Sequence, residues 1–367
     1  MNLKYSIVFF TCTVLFLFSC SKNEETNNSD KFTIRTGVNV SHWLSQNINR
    51  GEIRKNYITE ADFDSIKAAG FDHIRLPVDE VQLWDSAGNK ETEAFKLLHN
   101  AIDWAAKRRL RVIVDLHIIR AHFFNSATNI IWTDPSERQK VVSMWKDLSE
   151  ELKDYPTDIL AYEILSEAGA ETPEEWNELL NSVINNLRVT EPDRKIVIGS
   201  IIWQKPQNVP LLILPENDKN IIISFHCFSP SALALYSAPW TPFSEYRGKV
   251  NYPGWTVDTS EYKNLSPKAV KAMREYANGY YDKEKLAELM MPAIRYAKEK
   301  NLPLYCGEYG MYPKIDEEIM FRWYKDICSV FNEHNIAYCH WCYKGDFPVL
   351  IQDGSINRKL TEILTAK

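Results

Sequence analysis

The 367-residue sequence has no basic stripe: 43 Lys and Arg stand interspersed with 49 Asp and Glu, for a formal net charge of −6. A nucleic-acid partner would want clustered positive charge, so that class is excluded. No glycine-rich nucleotide fingerprint is present, which argues against an open doubly wound sheet. There is no internal repeat and no second linker, and one domain is the economical reading. A disulfide framework is also missing. Beyond Cys20 there are Cys227, Cys306, Cys328, Cys339 and Cys342, an odd number in apolar contexts that reads as buried thiols.

No apolar run spans a membrane comfortably. Ile7 to Phe18, behind Lys4, is too short for a transmembrane helix and reads as the core of a secretory signal over residues 1–19. The run ends Leu17-Phe18-Ser19-Cys20, which resembles a bacterial lipobox, so Cys20 is the expected lipidated first residue of the mature chain. Plain cleavage leaving a free Cys20 is the alternative. Residues 20–31 then form a polar, disordered tether. The expected location is the bacterial cell envelope, as a monomeric outer-membrane lipoprotein touching the membrane only through its lipid.

What is present from Phe32 onward is a hydrophobic share, 45% over the chain, that can fill a sizeable core. Short apolar runs alternate with helical patterns, the mark of βα units on a parallel sheet. Eight runs read as strands: Thr33–Val40, His73–Leu76, Arg111–Leu116, Ile159–Leu165, Lys195–Ser200, Ile221–Phe225, Pro303–Gly307 and Ala337–Trp341. Helix starts are punctuated between them. Thr59 caps a helix that stops at Gly70, Thr172-Pro173-Glu174-Glu175 is a capping box, and Asp282 opens an amphipathic helix. Eight such units predict a single (β/α)8 TIM barrel with loop insertions over residues 32–367. The longest insertion, Phe228 to about Asp282, carries Tyr236, Trp240, Tyr246, Tyr252, Trp255 and Tyr262 and is expected to wall a cleft.

Two glutamates end apolar runs: Glu167 in AYEILSEA and Glu308 in PLYCGEYG. A glutamate is ordinarily a solvated surface charge. Carboxylates on rigid strand ends far apart in sequence are instead the equipment of glycoside hydrolysis, where one acid protonates the leaving oxygen and the other attacks the sugar. Arg75, His117, His226 and Trp341 recur just past other strands, and a lone residue of these types would be structural. Six of eight strands delivering such groups are harder to explain as packing.

In order along the chain, GVNVSHWL, FDHIRLPV, VIVDLH, AYEILSEA, FHCFSP and CGEYG resemble the motifs of glycoside hydrolase family 5, the cellulase-type (β/α)8 hydrolases, from Phe32 to the C-terminus. The resemblance implies Glu167 as acid/base and Glu308 as nucleophile of a retaining, endo-acting enzyme. Its substrate would be a β-linked polysaccharide: β-1,4-glucan by default, with mannan or xyloglucan close behind. It makes Arg75, His117, Ser166, His226, Trp341, Trp203 and Trp43 the expected substrate-side residues, with Trp341 stacking on a sugar face. Arg75 beside Glu308 should favour its ionised form. The chemistry needs only two carboxylates and water, so no cofactor or metal is expected.

Departures from the family pattern are as informative. Ser166 replaces the Asn before the acid/base, Ala168 the Pro after it, and Phe228 the Tyr that would donate to the nucleophile. A weak or inactive surface glycan-binding lipoprotein of the same fold is therefore the competing reading. A metal site at Cys339, His340 and Cys342 is disfavoured, because strand alternation turns Cys339 and His340 to opposite faces.

Overall fold

The computed structural model describes residues 31–366 except residues 127 and 352. The expected signal peptide and the lipidation at Cys20 lie outside these described residues. Eight strands close a parallel barrel: β1 (Thr36–Asn39), β2 (His73–Val78), β3 (Arg111–Leu116), β4 (Leu160–Glu163), β5 (Ile196–Gly199), β6 (Ile221–Cys227), β9 (Leu304–Tyr309) and β10 (Ala337–His340). Each expected strand is present: four are shorter than expected, Arg111–Leu116 is unchanged, and β2, β6 and β9 run further toward their carboxyl ends. A small antiparallel ribbon, β7 (Gly254–Trp255) with β8 (Tyr280–Tyr281), lies within the long insertion.

Helices start where the capping chemistry directs. Asp62 Oδ2 accepts the Thr59 amide at 2.7 Å ahead of the helix Glu60–Ala68. Thr172 and Glu175 exchange reciprocal hydrogen bonds at the head of Pro173–Thr190. The Asp282 carboxylate accepts from Lys285 N at 2.8 Å and opens Lys283–Lys300, which buries Leu286, Met290, Ala293 and Ala297. All five Cys beyond Cys20 are buried free thiols, as expected of packing residues.

Two apolar layers hold the barrel. The larger core packs the outward strand faces against the helices, while Ile113, Ala161, Val197, Ile222, Tyr305 and Cys339 form a separate cluster with Phe32. Those six sit on the inward face of six strands and fill the barrel. Side chains of a strand alternate, so Asp115, Glu163 and Ser224, two residues further on, also point inward but one layer nearer the carboxyl ends. There the filling turns from apolar to ionic.

β9 breaks the alternation. Phe225 pairs with Cys306 but His226 with Glu308, and Tyr338 pairs with Cys306 but His340 with Tyr309. One residue is therefore extra in β9 against both neighbours, a β-bulge. In a regular strand with Tyr305 inward, Glu308 would face the helices. The bulge turns it into the barrel mouth instead. Gly307 makes this possible, since a Cβ there would lie 3.0 Å from Ser224 Oγ and 3.2 Å from His226 Nε2.

Candidate active site

Arg75, the third residue of β2, is the hub of the mouth. Fully buried, it donates from Nε to Glu163 Oε2 at 2.6 Å, from Nη2 to Asp115 Oδ2 at 2.9 Å and from Nη1 to Glu308 Oε1 at 2.7 Å. Nη1 also reaches Asn39 Oδ1 at 3.0 Å, and Nη2 reaches Ser166 Oγ at 3.2 Å. A buried guanidinium needs this many acceptors to offset its desolvation. The expectation that Arg75 adjoins Glu308 is met by direct contact.

The two glutamates converge from opposite sides. His226 Nδ1 lies 2.8 Å from Glu167 Oε1 and 3.6 Å from Glu308 Oε2. A carboxylate oxygen of Glu167 and one of Glu308 lie within 4.8 Å of each other. Glu167 sits beyond β4 with a left-handed φ of 49°, and its backbone N–H donates to Gln204 Oε1 at 2.8 Å.

Burial dominates the electrostatics. It raises Glu167 to about 7, against the opposing pull of His117, Arg75 and Lys205. Glu308 is also raised by burial, with His226 and Arg75 pulling it back. Arg75 thus acts in the expected direction without reversing the net shift. Asp115, sealed beneath them, is raised to about 7. Burial lowers His117 and His226 to about 4, so both imidazoles are neutral near pH 7. Two adjoining buried carboxyls, one on a permanent cation and the other on a neutral imidazole, will not both ionise cheaply, and the proton belongs with Glu167.

The remaining expected residues divide. His117 is present, bonded through Nδ1 to Asp115 Oδ2 at 2.7 Å, with a buried Nε2 that has no protein partner among the described residues. Trp341 is present but only 4% exposed, and the His117 ring already stacks on its indole, centroids 5.5 Å apart at 17°. Trp203, 48% exposed, stands at the rim with Nε1 donating to Phe124 O at 3.2 Å. Ser166 is fully buried and addresses Arg75 rather than open space. Trp43 is a correction. It is fully buried and donates Nε1 to Arg54 O at 2.8 Å, so it is a core residue that no ligand reaches.

Phe228 is half-buried and packs on Phe347 beside Trp341 and Cys342. The partners of the Glu308 carboxylate among the described residues are Arg75 and His226. The insertion aromatics also divide. Trp240 packs on Tyr312 and Phe347 next to the Trp341 cluster, whereas Tyr246 and Tyr262 are buried and bond within the insertion, and buried Tyr252 donates to Asp326 at 2.8 Å on the helix Glu317–Glu333. Cys339 and His340 do face apart, one in the barrel filling and the other bonded to Phe347 O at 3.0 Å. Sequence reasoning passed over Asn39, Asp115, Glu163 and Gln204. The first three lie inside the quoted motifs, and the i, i+2 spacing of Asp115 and His117 was the readable sign that they share a face.

The chain has counterparts among known proteins. Endoglucanase C of Acetivibrio thermocellus is 28% identical over 342 residues, 91% of this chain and 99% of that protein. Cellodextrinase A of Ruminococcus flavefaciens is 25% identical over 304 residues, 82% of this chain and 83% of its own. Among solved structures, a hyperthermophilic endo-β-1,4-glucanase in complex with substrate superposes with a TM-score of 0.74 at 25% identity, covering 92% of this chain and 98% of that one. Thermotoga maritima Cel5A in complex with mannotriose gives 0.72 at 25% identity over the same shares. Residues 29–346 match the cellulase family, and because that span takes in every barrel strand and both converging glutamates, the chain belongs to glycosyl hydrolase family 5.

Proposed function

We propose that this glycoside hydrolase cleaves β-1,4-linked glucan internally with retention of anomeric configuration, Glu308 serving as nucleophile and Glu167 as acid/base. The observation that carries the reading is the approach of the two carboxylates within 4.8 Å. Retaining enzymes hold the pair about 5–5.5 Å apart, whereas inverting ones leave about 6.5–9.5 Å for a water. The names of the endoglucanase relatives support glucan. Mannan or xyloglucan are the nearest competing substrates, and mannotriose in the Cel5A neighbour keeps mannan in view.

The steps follow from the contacts. The Glu308 carboxylate, held by Arg75, attacks the anomeric carbon as the Glu167 carboxyl gives its proton to the departing glycosidic oxygen. A glycosyl ester forms on Glu308 and the first chain fragment leaves as an alcohol. Glu167, now a carboxylate, takes a proton from water, whose oxygen attacks the anomeric carbon and releases Glu308. The ester forms and breaks with one inversion each, so configuration is kept. His117 Nε2, buried and without a partner among the described residues, is suited to a sugar hydroxyl.

Incubation with a panel of glucan, mannan and xyloglucan, followed by product sizing, tests substrate and mode. Proton NMR of the first product tests stereochemistry. Inversion overturns the nucleophile assignment, and binding without new reducing ends overturns catalysis. We further propose that the enzyme is anchored through a lipidated Cys20. Cys20→Ala should release it from the membrane fraction or block maturation, and unchanged fractionation overturns the anchor.

A further inference from the structure

Past β5 the backbone does something costly. Ile202, Trp203 and Gln204 have φ of 56°, 57° and 49°, three consecutive non-glycine residues in the left-handed region. Side chains with a Cβ visit that region singly and seldom, and such strain gathers where a side chain must be aimed. Here it aims two. Trp203 is turned out to the rim, and Gln204 is turned in, fully buried.

The inward amide fits its surroundings atom by atom. Gln204 Oε1 accepts the backbone N–H of Glu167 at 2.8 Å, while Nε2 lies 3.4 Å from Glu163 Oε1 and 3.5 Å from Ser224 Oγ. Ile202 N donates to Ala168 O at 2.9 Å, a second tie between the same two loops. Gly199 leaves the space the amide fills, since a Cβ there would overlap it. Glu167 itself stands beyond the end of β4 in a left-handed conformation, where no strand neighbour can take its N–H.

We infer that Gln204 is the positioning residue of the acid/base. It fixes the Glu167 backbone from below and joins it, through Glu163 and Arg75, to the Glu308 carboxylate, so that the two glutamates are set against each other by one polar chain. The inference rests on the reading of Glu167 as acid/base. An amide is required because the site asks for one acceptor toward an N–H and one donor toward a carboxylate. The side chain of Asn, one methylene shorter, would not span the gap.

The test separates positioning of an acid from general integrity. Full-length Gln204→Met is assayed on cellotetraose, whose leaving sugar needs a proton, and on dinitrophenyl β-cellobioside with azide. That leaving group departs unprotonated, and azide replaces the water that Glu167 would deprotonate. Misplacing a catalytic group by about 1 Å costs on the order of 100-fold. The expected result is a fall in kcat of about 10- to 100-fold on cellotetraose with KM little changed, and a loss under about 3-fold on the aryl substrate. Gln204→Asn keeps an amide and most of the packing, gives the same split, and stands in if the Met variant does not fold. Equal losses on both substrates, or no loss on cellotetraose, overturn the role of Gln204. A wild-type protein inactive on both overturns instead the glucan reading, and one inactive on mannan and xyloglucan oligosaccharides as well overturns the reading of the glutamate pair.

Discussion

Glu308 and Glu167 reach the same few ångströms by opposite means. Glu308 lies within β9, turned inward by a bulge and gripped by a guanidinium at 2.7 Å. Glu167 lies past the end of β4, on a loop, held by a neutral histidine and by the side chain of the next loop along the barrel. The difference matches the roles proposed for the two. A nucleophile has to be charged and rigidly placed, so it sits in the sheet on a permanent cation. An acid/base has to gain and lose a proton each cycle, so it avoids a direct cation and is raised toward neutrality by burial.

Removing each carboxyl should show that contrast most strongly. Glu308→Ala and Glu167→Ala should each lower turnover on oligosaccharide by on the order of 10^4-fold. Azide should then distinguish them on an activated aryl glycoside. In Glu308→Ala it enters opposite the leaving group and gives an inverted glycosyl azide. In Glu167→Ala it attacks the glycosyl ester and gives a retained one. The same azide stereochemistry from both variants would break the division of roles.

Arg75→Met removes the cation that grips Glu308 by direct contact and reaches Glu167 only through space. It leaves Asp115, Glu163 and Glu308 buried without their counter-ion. Stranding buried partners in this way costs about 3–5 kcal/mol, readable as a shift in the denaturation midpoint. A midpoint within error of wild type would mean that the three carboxyls are already protonated together.

Lys205 probes the other side. Its ammonium lies 4.8 Å from the Trp203 ring and favours the carboxylate form of Glu167. With Glu167 raised to about 7, kcat/KM should fall as pH rises through that region and the acid loses its proton. Lys205→Met takes away a stabilising positive charge, raises the Glu167 pKa further and moves this basic limb to higher pH. A limb that moves toward acid, or stays, would show that the ammonium does not act on Glu167.

The smallest effect is expected at Ser166, which accepts one hydrogen bond from Arg75 at 3.2 Å. Ser166→Ala should cost about 1 kcal/mol of stability and change kcat/KM on glucan and mannan oligosaccharides by the same factor. A change on one substrate alone would return Ser166 to the substrate-selecting role that its place in the motif implies.

Much of the fold was legible because βα alternation is written in local periodicity, and each of the eight apolar runs became a strand. Glu167, Glu308 and Arg75 were legible because they end such runs. Trp43 was misread for the same reason: proximity to a strand end says nothing about whether a side chain turns to the mouth or into the helix layer. Asp115 and Glu163 were passed over because a carboxylate inside an apolar strand has no local explanation, and its partner Arg75 comes from a different strand.

The sequence by itself determined the barrel, its strand order of events along the chain and the two carboxylates, since these depend on patterns a few residues long. Tertiary structure alone decided which way Glu308 faces, because the extra residue in β9 is defined only against β6 and β10. It also decided the ionisation of the pair. Burial and neighbours from four other chain segments, Arg75, His117, Lys205 and His226, together with Glu163 from the segment of Glu167 itself, set those pKa values, and none is adjacent to both glutamates in sequence.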